Sequence, residues 1–305
     1  MNCKTVVLEN RQLKLEVLPF RGGKISSLQD KRNGAQWFYR GNPNNPGFPD
    51  PNSYKRGVFD EKEAFGMDEM FPSINPEKIT NYGGELCTLP DHGEVWSKSW
   101  DIISQSPLEL NLTVQGLVFP YRFSRDILLE ENHIILKYRA QNTGDQAIPA
   151  LWTPHPLFSF YEETEILVPR ELNSIRQAMK EGPLGEYGSI HALNASGEVA
   201  GVGNLLHPGT LPEGSCFKFY GDKSLKEGYC GLKDRRGSLT LSYPSEQISW
   251  LGFWINRGGW GGQQNLALEP ATSPMDGPQA SADFNVPSQL DAGELLEWEM
   301  VLAID

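Results

Sequence analysis

At 305 residues, 39% hydrophobic and 22% charged, the chain has the make-up of a soluble globular protein able to bury a large core, and no apolar stretch approaches the roughly 20 residues of a membrane-spanning helix. The 39 Asp and Glu outnumber the 27 Lys and Arg, giving a net charge of −12, and the basic residues are scattered, whereas a nucleic-acid binder needs a concentrated basic face. Neither a membrane nor a nucleic acid is expected as a partner; a neutral or cationic small molecule fits better.

The N-terminus, MNCKTVVLEN, enters strand-like sequence directly, without the basic start, apolar middle and small-residue cleavage site of a secretory signal, so a cytoplasmic location is expected. Leu13, Leu15 and Val17 then show the period-two pattern of a strand with one face in a core. The longest irregular stretch, residues 41–65, is expected to wall a site, because loops of that length in compact domains are often binding loops. Leu108, Leu110, Leu112 and Val114 alternate with Glu109, Asn111, Thr113 and Gln115, which predicts another half-buried strand. Further strands are predicted over 121–129, 132–142, 215–221 and 237–244, separated by turn formers such as EEN, NTGD and DRRG. The segment ELNSIRQAMKEG, residues 171–182, is the best helix candidate. Leu296, Trp298, Met300 and Leu302 repeat the alternation at the C-terminus, so sequence near both ends joins sheets. With 31 Gly, 22 Pro and strands about every ten residues, the pattern predicts an all-β fold: one large antiparallel β-sandwich domain over residues 1–305.

Cys3, Cys87, Cys216 and Cys230 are far apart and form no CxxC pair, so free thiols are expected. No histidine pair has metal-ligand spacing and no glycine-rich phosphate loop is present, so no metal or nucleotide cofactor is expected. Four segments carry ionisable or aromatic residues that packing alone does not require: GMDEMFPSI (66–74), LPDHGEVWSKSW (89–100), WTPHPLFSF (152–160) and LALEPATSPMDG (266–277). Asp68 and Glu69 can be read as loop acids, His92 as a turn residue and His155 as a core histidine between two prolines. Glu269 is the most anomalous, because a carboxylate after Leu266, Ala267 and Leu268 sits at the end of a buried strand, where an unpaired charge costs several kcal/mol.

Taken in chain order, these segments resemble the aldose 1-epimerases, the galactose mutarotase-like β-sandwich family. HGEVW resembles the family's first histidine segment, HPLF its HPYF-like strand and LEP its C-terminal glutamate segment; the opening LPFRGGKISSLQDKRNGAQWF is also similar, so the resemblance spans roughly residues 5–303. It implies that Glu269 takes the proton of the anomeric hydroxyl, that His155 protonates the ring oxygen and that His92 hydrogen-bonds the sugar, with no cofactor and with a small-molecule sugar as substrate. The chain departs from the family at Leu157, where HPYF has tyrosine, and in lacking the arginine-containing segment before the first histidine. The branch acting on hexose 6-phosphates is similar around FP but uses arginine there to hold phosphate; Asp68 and Glu69 in its place point to a free, non-phosphorylated aldose.

Sugars also present apolar C–H faces, and SWLGFWINRGGWGG (249–262) offers Trp254 and Trp260 near Asn256 as substrate-binding candidates. Asp68 and Glu69 join them as acceptors for sugar hydroxyls. Two other readings stay open: a carbohydrate-binding protein without catalysis, and a glycoside hydrolase pairing Glu269 with Asp68 or Glu69.

Overall fold

The computed structural model describes residues 4–41 and 59–305. Two large antiparallel sheets form the frame. A ten-stranded sheet has the spatial order Val6–Glu9, Leu13–Leu18, Lys24–Asp30, Met67–Met70, Thr153–Phe158, Gln264–Ala271, Trp250–Arg257, Ser215–Gly221, Ser174–Gln177 and Ile190–Ala192. An eight-stranded sheet runs Glu165–Leu167, Tyr229–Asp234, Gly237–Ser242, Leu295–Ile304, His133–Asn142, Tyr121–Glu130, Glu109–Gln115 and Asp101–Gln105. This is the predicted all-β sandwich.

The alternation read from the sequence is the packing pattern. Leu110, Leu112 and Val114 are buried, as are Leu13, Leu15 and Val17 on the other sheet, each removing apolar surface worth about 1.5–3 kcal/mol. Leu108 departs from it: it precedes the strand and is 40% exposed. Trp298 stacks on Tyr138 with ring centroids 5.2 Å apart, and Trp152 meets Trp298 edge-on at 4.7 Å, so aromatic residues of both sheets interlock in the core.

The helix expected over 171–182 is absent. Residues Ser174–Gln177 form a strand instead, with Ile175 and Gln177 buried and Ser174 and Arg176 on the other face. The β-branched Ile175 at a core-facing position of a strand paired on both sides suits that arrangement, and pairing with Ser215–Gly221 and Ile190–Ala192 outweighs the helix propensity of the flanking Ala, Met and Lys. Among the described residues the α-helix is Pro278–Asp283, and no helix is long and apolar enough to cross a membrane. Cys87, Cys216 and Cys230 are free thiols; Cys3 lies outside the described residues. Burial pushes the Cys216 thiol up to about 12, so it is protonated and unreactive at neutral pH.

Candidate functional site

Four strands from the middle of the ten-stranded sheet line a cleft of about 470 Å³ through Met70, His155, Leu157, Trp254 and Lys218, and a fifth, Gln264–Ala271, runs between them. Their register sets what lines it. Tyr220 pairs with Gly252, Gly252 with Glu269, and His155 with Asp68. The pairing Leu157 with Ala267, continued two residues, brings His155 level with Glu269. One row across the sheet therefore reads Tyr220, Gly252, Glu269, His155, Asp68, and the next row on the same face reads Lys218, Trp254, Ala267, Leu157.

His155 and Glu269 face each other within this row, Nε2 lying 3.7 Å from Oε1. Among the described residues, Glu269 Oε1 and His155 Nδ1 are buried with no hydrogen-bond partner. The other carboxylate oxygen, Oε2, accepts from the ammonium of Lys218, which also lies 3.5 Å from Asp276. Tyr220 donates to Asp276 at 2.7 Å. Burial raises the Glu269 carboxyl above the ordinary glutamate range, and Lys218 works against that rise. Burial also opposes the charge on Lys218, but Asp276 and Glu269 outweigh it and hold the ammonium above its usual range.

His92 arrives from outside the sheet. It follows the hairpin Glu77–Thr80 with Leu86–Leu89 and sits at φ 62, followed by Gly93 at φ 71. Two consecutive left-handed residues turn the chain back toward the sheet, and a methyl group at 93 would collide with the Phe71 carbonyl, which is why glycine follows this histidine. The His92 backbone N–H donates to Ile74 O at 2.5 Å, and Trp96 Nε1 donates to Asp91 O at 2.8 Å. Nδ1 of His92 donates to the Asp91 carboxylate at 2.9 Å, which fixes the tautomer and leaves Nε2 for the cleft. The ring stacks on Phe59 at 3.7 Å and lies 5.2 Å from the His155 ring.

The structure thus brings His92, His155 and Glu269 together across 63 and 114 residues of sequence separation, the two histidines lining the cleft and Glu269 fully buried against His155. Trp254 and Trp260 line the same cleft, edge to face at 5.9 Å. Asn256 does not line it. Its buried amide holds the backbone of Trp260 from both sides, at 2.8 and 3.0 Å, and so positions that indole. Leu157 forms an apolar wall with Ala64, Phe59 and the two tryptophans. Most of the irregular 41–65 stretch, residues 42–58, falls outside the described residues, while its end contributes Phe59 and Ala64 to the cleft.

Asp68 and Glu69 are not where the sequence placed them. Both are fully buried in the strand Met67–Met70 and, being neighbours in a strand, point to opposite faces. Asp68 shares the face of His155 but is roofed by Lys24, whose ammonium bonds Oδ2 at 2.6 Å and the carbonyls of Glu63 and Phe65. Glu69 faces the opposite sheet, where Arg125, Tyr138 and Trp152 donate to it at 2.6, 3.0 and 2.9 Å. Neither lines the cleft, and Glu69 points away from it. Sequence reasoning missed Lys218, Asp276, Asp91 and Phe59. A lysine inside the aromatic strand SCFKFYG, on the same face as Tyr220, was the available signal for the first.

Burial, reinforced by the nearby Lys218 and Lys24 ammonium groups, holds the His155 imidazole well below its ordinary range. The unfolded chain takes up a proton at this residue near pH 6.5 and the folded chain does not. Its contribution is therefore complete above about pH 6.5 and lost as pH falls, by up to about 1.4 kcal/mol per pH unit. Asp68, Glu69 and Glu269, all raised by burial, act in the opposite sense, so the His155 contribution is read as the difference between the parent and a variant without it. Thermal melts from about pH 7.5 down to about 5.5 should show a falling midpoint, and His155→Asn should flatten the fall. An unchanged slope in the variant would show that His155 titrates normally.

No protein-family model matches the chain, and none of the curated proteins matches it by sequence. Solved structures do match along its whole length. A protein from Synechocystis superposes with a TM-score of 0.76 at 18% identity, over 100% of this chain and 96% of the other. A galactose mutarotase-like protein from Lactobacillus casei gives 0.71 at 17% identity, over 99% and 100%. The fold is the galactose mutarotase-like sandwich. A galactose mutarotase related enzyme from Lactobacillus acidophilus shares this fold at a TM-score of 0.69 and 12% identity, over 99% and 97%. At such identities the likeness is one of fold, and the mutarotase-like sandwich leaves the chemistry to the side chains in the cleft.

Proposed function

We propose that the protein is an aldose 1-epimerase, an isomerase that interconverts the α and β anomers of a free, non-phosphorylated aldose without a cofactor. The observation that carries this reading is the pairing of His155 Nε2 with Glu269 Oε1 at 3.7 Å, the histidine lining a cleft with aromatic walls and the glutamate fully buried beside it. The two oxygens of a hemiacetal share one carbon and lie closer together than that, so an acid and a base side by side can reach both from one side of the sugar. The acid and base need not flank the ring.

Ring opening then balances as follows. Glu269 Oε1 accepts the proton of the anomeric hydroxyl while His155 Nε2 delivers one to the ring oxygen; the bond from the anomeric carbon to the ring oxygen breaks and the aldehyde forms. Rotation presents the other carbonyl face, the ring oxygen returns its proton to His155, and Glu269 returns its proton to the new anomeric hydroxyl. The pair passes between a charged form and a neutral one. Burial raises Glu269 and lowers His155, both of which favour the neutral form, so ring opening starts from the less populated charged form and the transfers that discharge it run downhill. His92, held by Asp91 and Phe59, is placed to hydrogen-bond the ring as the bond breaks.

The preference for a free sugar rests on the cleft's own charges, since Asp68 is held by Lys24 and Glu69 faces the opposite sheet, and neither lines the cleft. Asp91, Glu181 and Asp276 line it against Lys180 and Lys218, and Lys218 is already paired. A phosphate dianion meets net negative charge there. Glucose 6-phosphate should therefore bind more weakly than glucose at moderate salt, and calorimetric titration of both would show it; the reverse order would overturn the substrate class. The activity itself is tested by dissolving pure α-anomers of several aldoses and following optical rotation, with faster equilibration and no bond cleavage as the expected result. A second reading, a carbohydrate-binding protein without catalysis, draws on the engagement of one Glu269 oxygen by Lys218. Binding without any acceleration would favour it. The glycoside hydrolase reading loses Glu69 as a partner, since it faces the opposite sheet and is held there by Arg125.

A further inference from the structure

We infer that Lys218 is a positioning residue for the reaction proposed above: its ammonium reaches across the gap at Gly252, holds Glu269 by Oε2, and leaves Oε1 as the oxygen that works against His155. Lys218 lies one row away from Glu269 on the same sheet face, so it must reach diagonally. The residue between Tyr220 and Glu269 in that row is Gly252. A methyl group there would stand 2.8 Å from the Tyr220 ring and 3.2 Å from Glu269 Oε2. This glycine does not have a left-handed backbone; its role is the space it leaves.

The division of labour between the two carboxylate oxygens follows. Oε2 is engaged, Oε1 is buried without a partner among the described residues, and Oε1 is the one that faces His155 Nε2. A glutamate held by one oxygen cannot turn its carboxylate, so the free oxygen keeps its aim. The second contact of Lys218, to Asp276 at 3.5 Å, adds a charge argument. Without the ammonium, Glu269 and Asp276 would be two carboxylates in one buried site, which share a proton rather than both ionise. The base would then be protonated over a wider pH range. Tyr220, donating to Asp276, anchors the far end of this chain of contacts.

The test compares the parent with Lys218→Met, Lys218→Arg and Gly252→Ala. Anomer equilibration of α-D-glucose and α-D-galactose is followed across pH, and the Glu269 carboxyl is titrated by carbon NMR in the same proteins. Lys218→Met is expected to lower kcat by roughly tenfold or more with little change in KM, and to move the acidic limb of kcat/KM and the Glu269 titration to higher pH. Lys218→Arg should return both toward the parent. Gly252→Ala removes no charge but wedges the pair apart, so it should shift the Glu269 titration in the same direction as Lys218→Met. It also keeps the test decisive if that variant fails to fold. A Glu269 titration that stays at the parent position in folded Lys218→Met, or in Gly252→Ala, overturns the inference whether or not the protein is active. A parent that equilibrates no anomers, with the titration shifted as expected, overturns the proposed reaction and leaves the role of Lys218 at Glu269 standing.

Discussion

Glu269→Gln is expected to slow anomer equilibration by roughly 10²-fold or more while changing sugar affinity far less. The amide keeps the size of the side chain and an oxygen acceptor but cannot take up the anomeric proton. The fold should tolerate the change, because Lys218 retains Asp276 at 3.5 Å and is not left as an unpaired buried charge. His155→Asn should show the same separation of rate from affinity. If both variants fold and equilibrate anomers at nearly the parent rate, the acid and base are wrongly assigned. If the parent binds a sugar without turning it over and Glu269→Gln binds it equally well, the carbohydrate-binding reading gives the better account.

The second large effect concerns stability. Glu69→Ala should destabilise the fold by about 3–5 kcal/mol, because it leaves the Arg125 guanidinium without its counter-charge and orphans two more buried donors, Tyr138 OH and Trp152 Nε1. Denaturant titration measures the loss, and the folded fraction should bind sugar as the parent does. A variant that kept its stability but lost sugar affinity would return Glu69 to the cleft.

That contrast shows where sequence stops being informative. Alternation along Leu110, Leu112 and Val114, or Leu13, Leu15 and Val17, marks a buried face because it depends only on neighbours two residues apart. The adjacent acids Asp68 and Glu69 carry no such signal: their partners Lys24 and Arg125 lie 44 and 56 residues away, and only the strand pairing decides that one acid faces the cleft side and the other the core. Glu269 was legible as an anomaly, a carboxylate ending an apolar strand. Its partner was not, because Lys218 becomes a neighbour only through two strand pairings and an empty position at Gly252. Residues 171–182 misled for the opposite reason, since local helix propensity there yields to strand pairing with residues 190–192 and 215–221.

The Lys218 ion pair has one more consequence, for the chemical durability of the site. A reaction that opens a sugar exposes an aldehyde on every turnover, and a neutral lysine amine beside an aldehyde condenses with it to an imine. Asp276 and Glu269 keep Lys218 as an ammonium, with no lone pair to attack. If the proposed reaction holds, the contact that aims the carboxylate would thus also protect Lys218 from glycation by the open-chain intermediate.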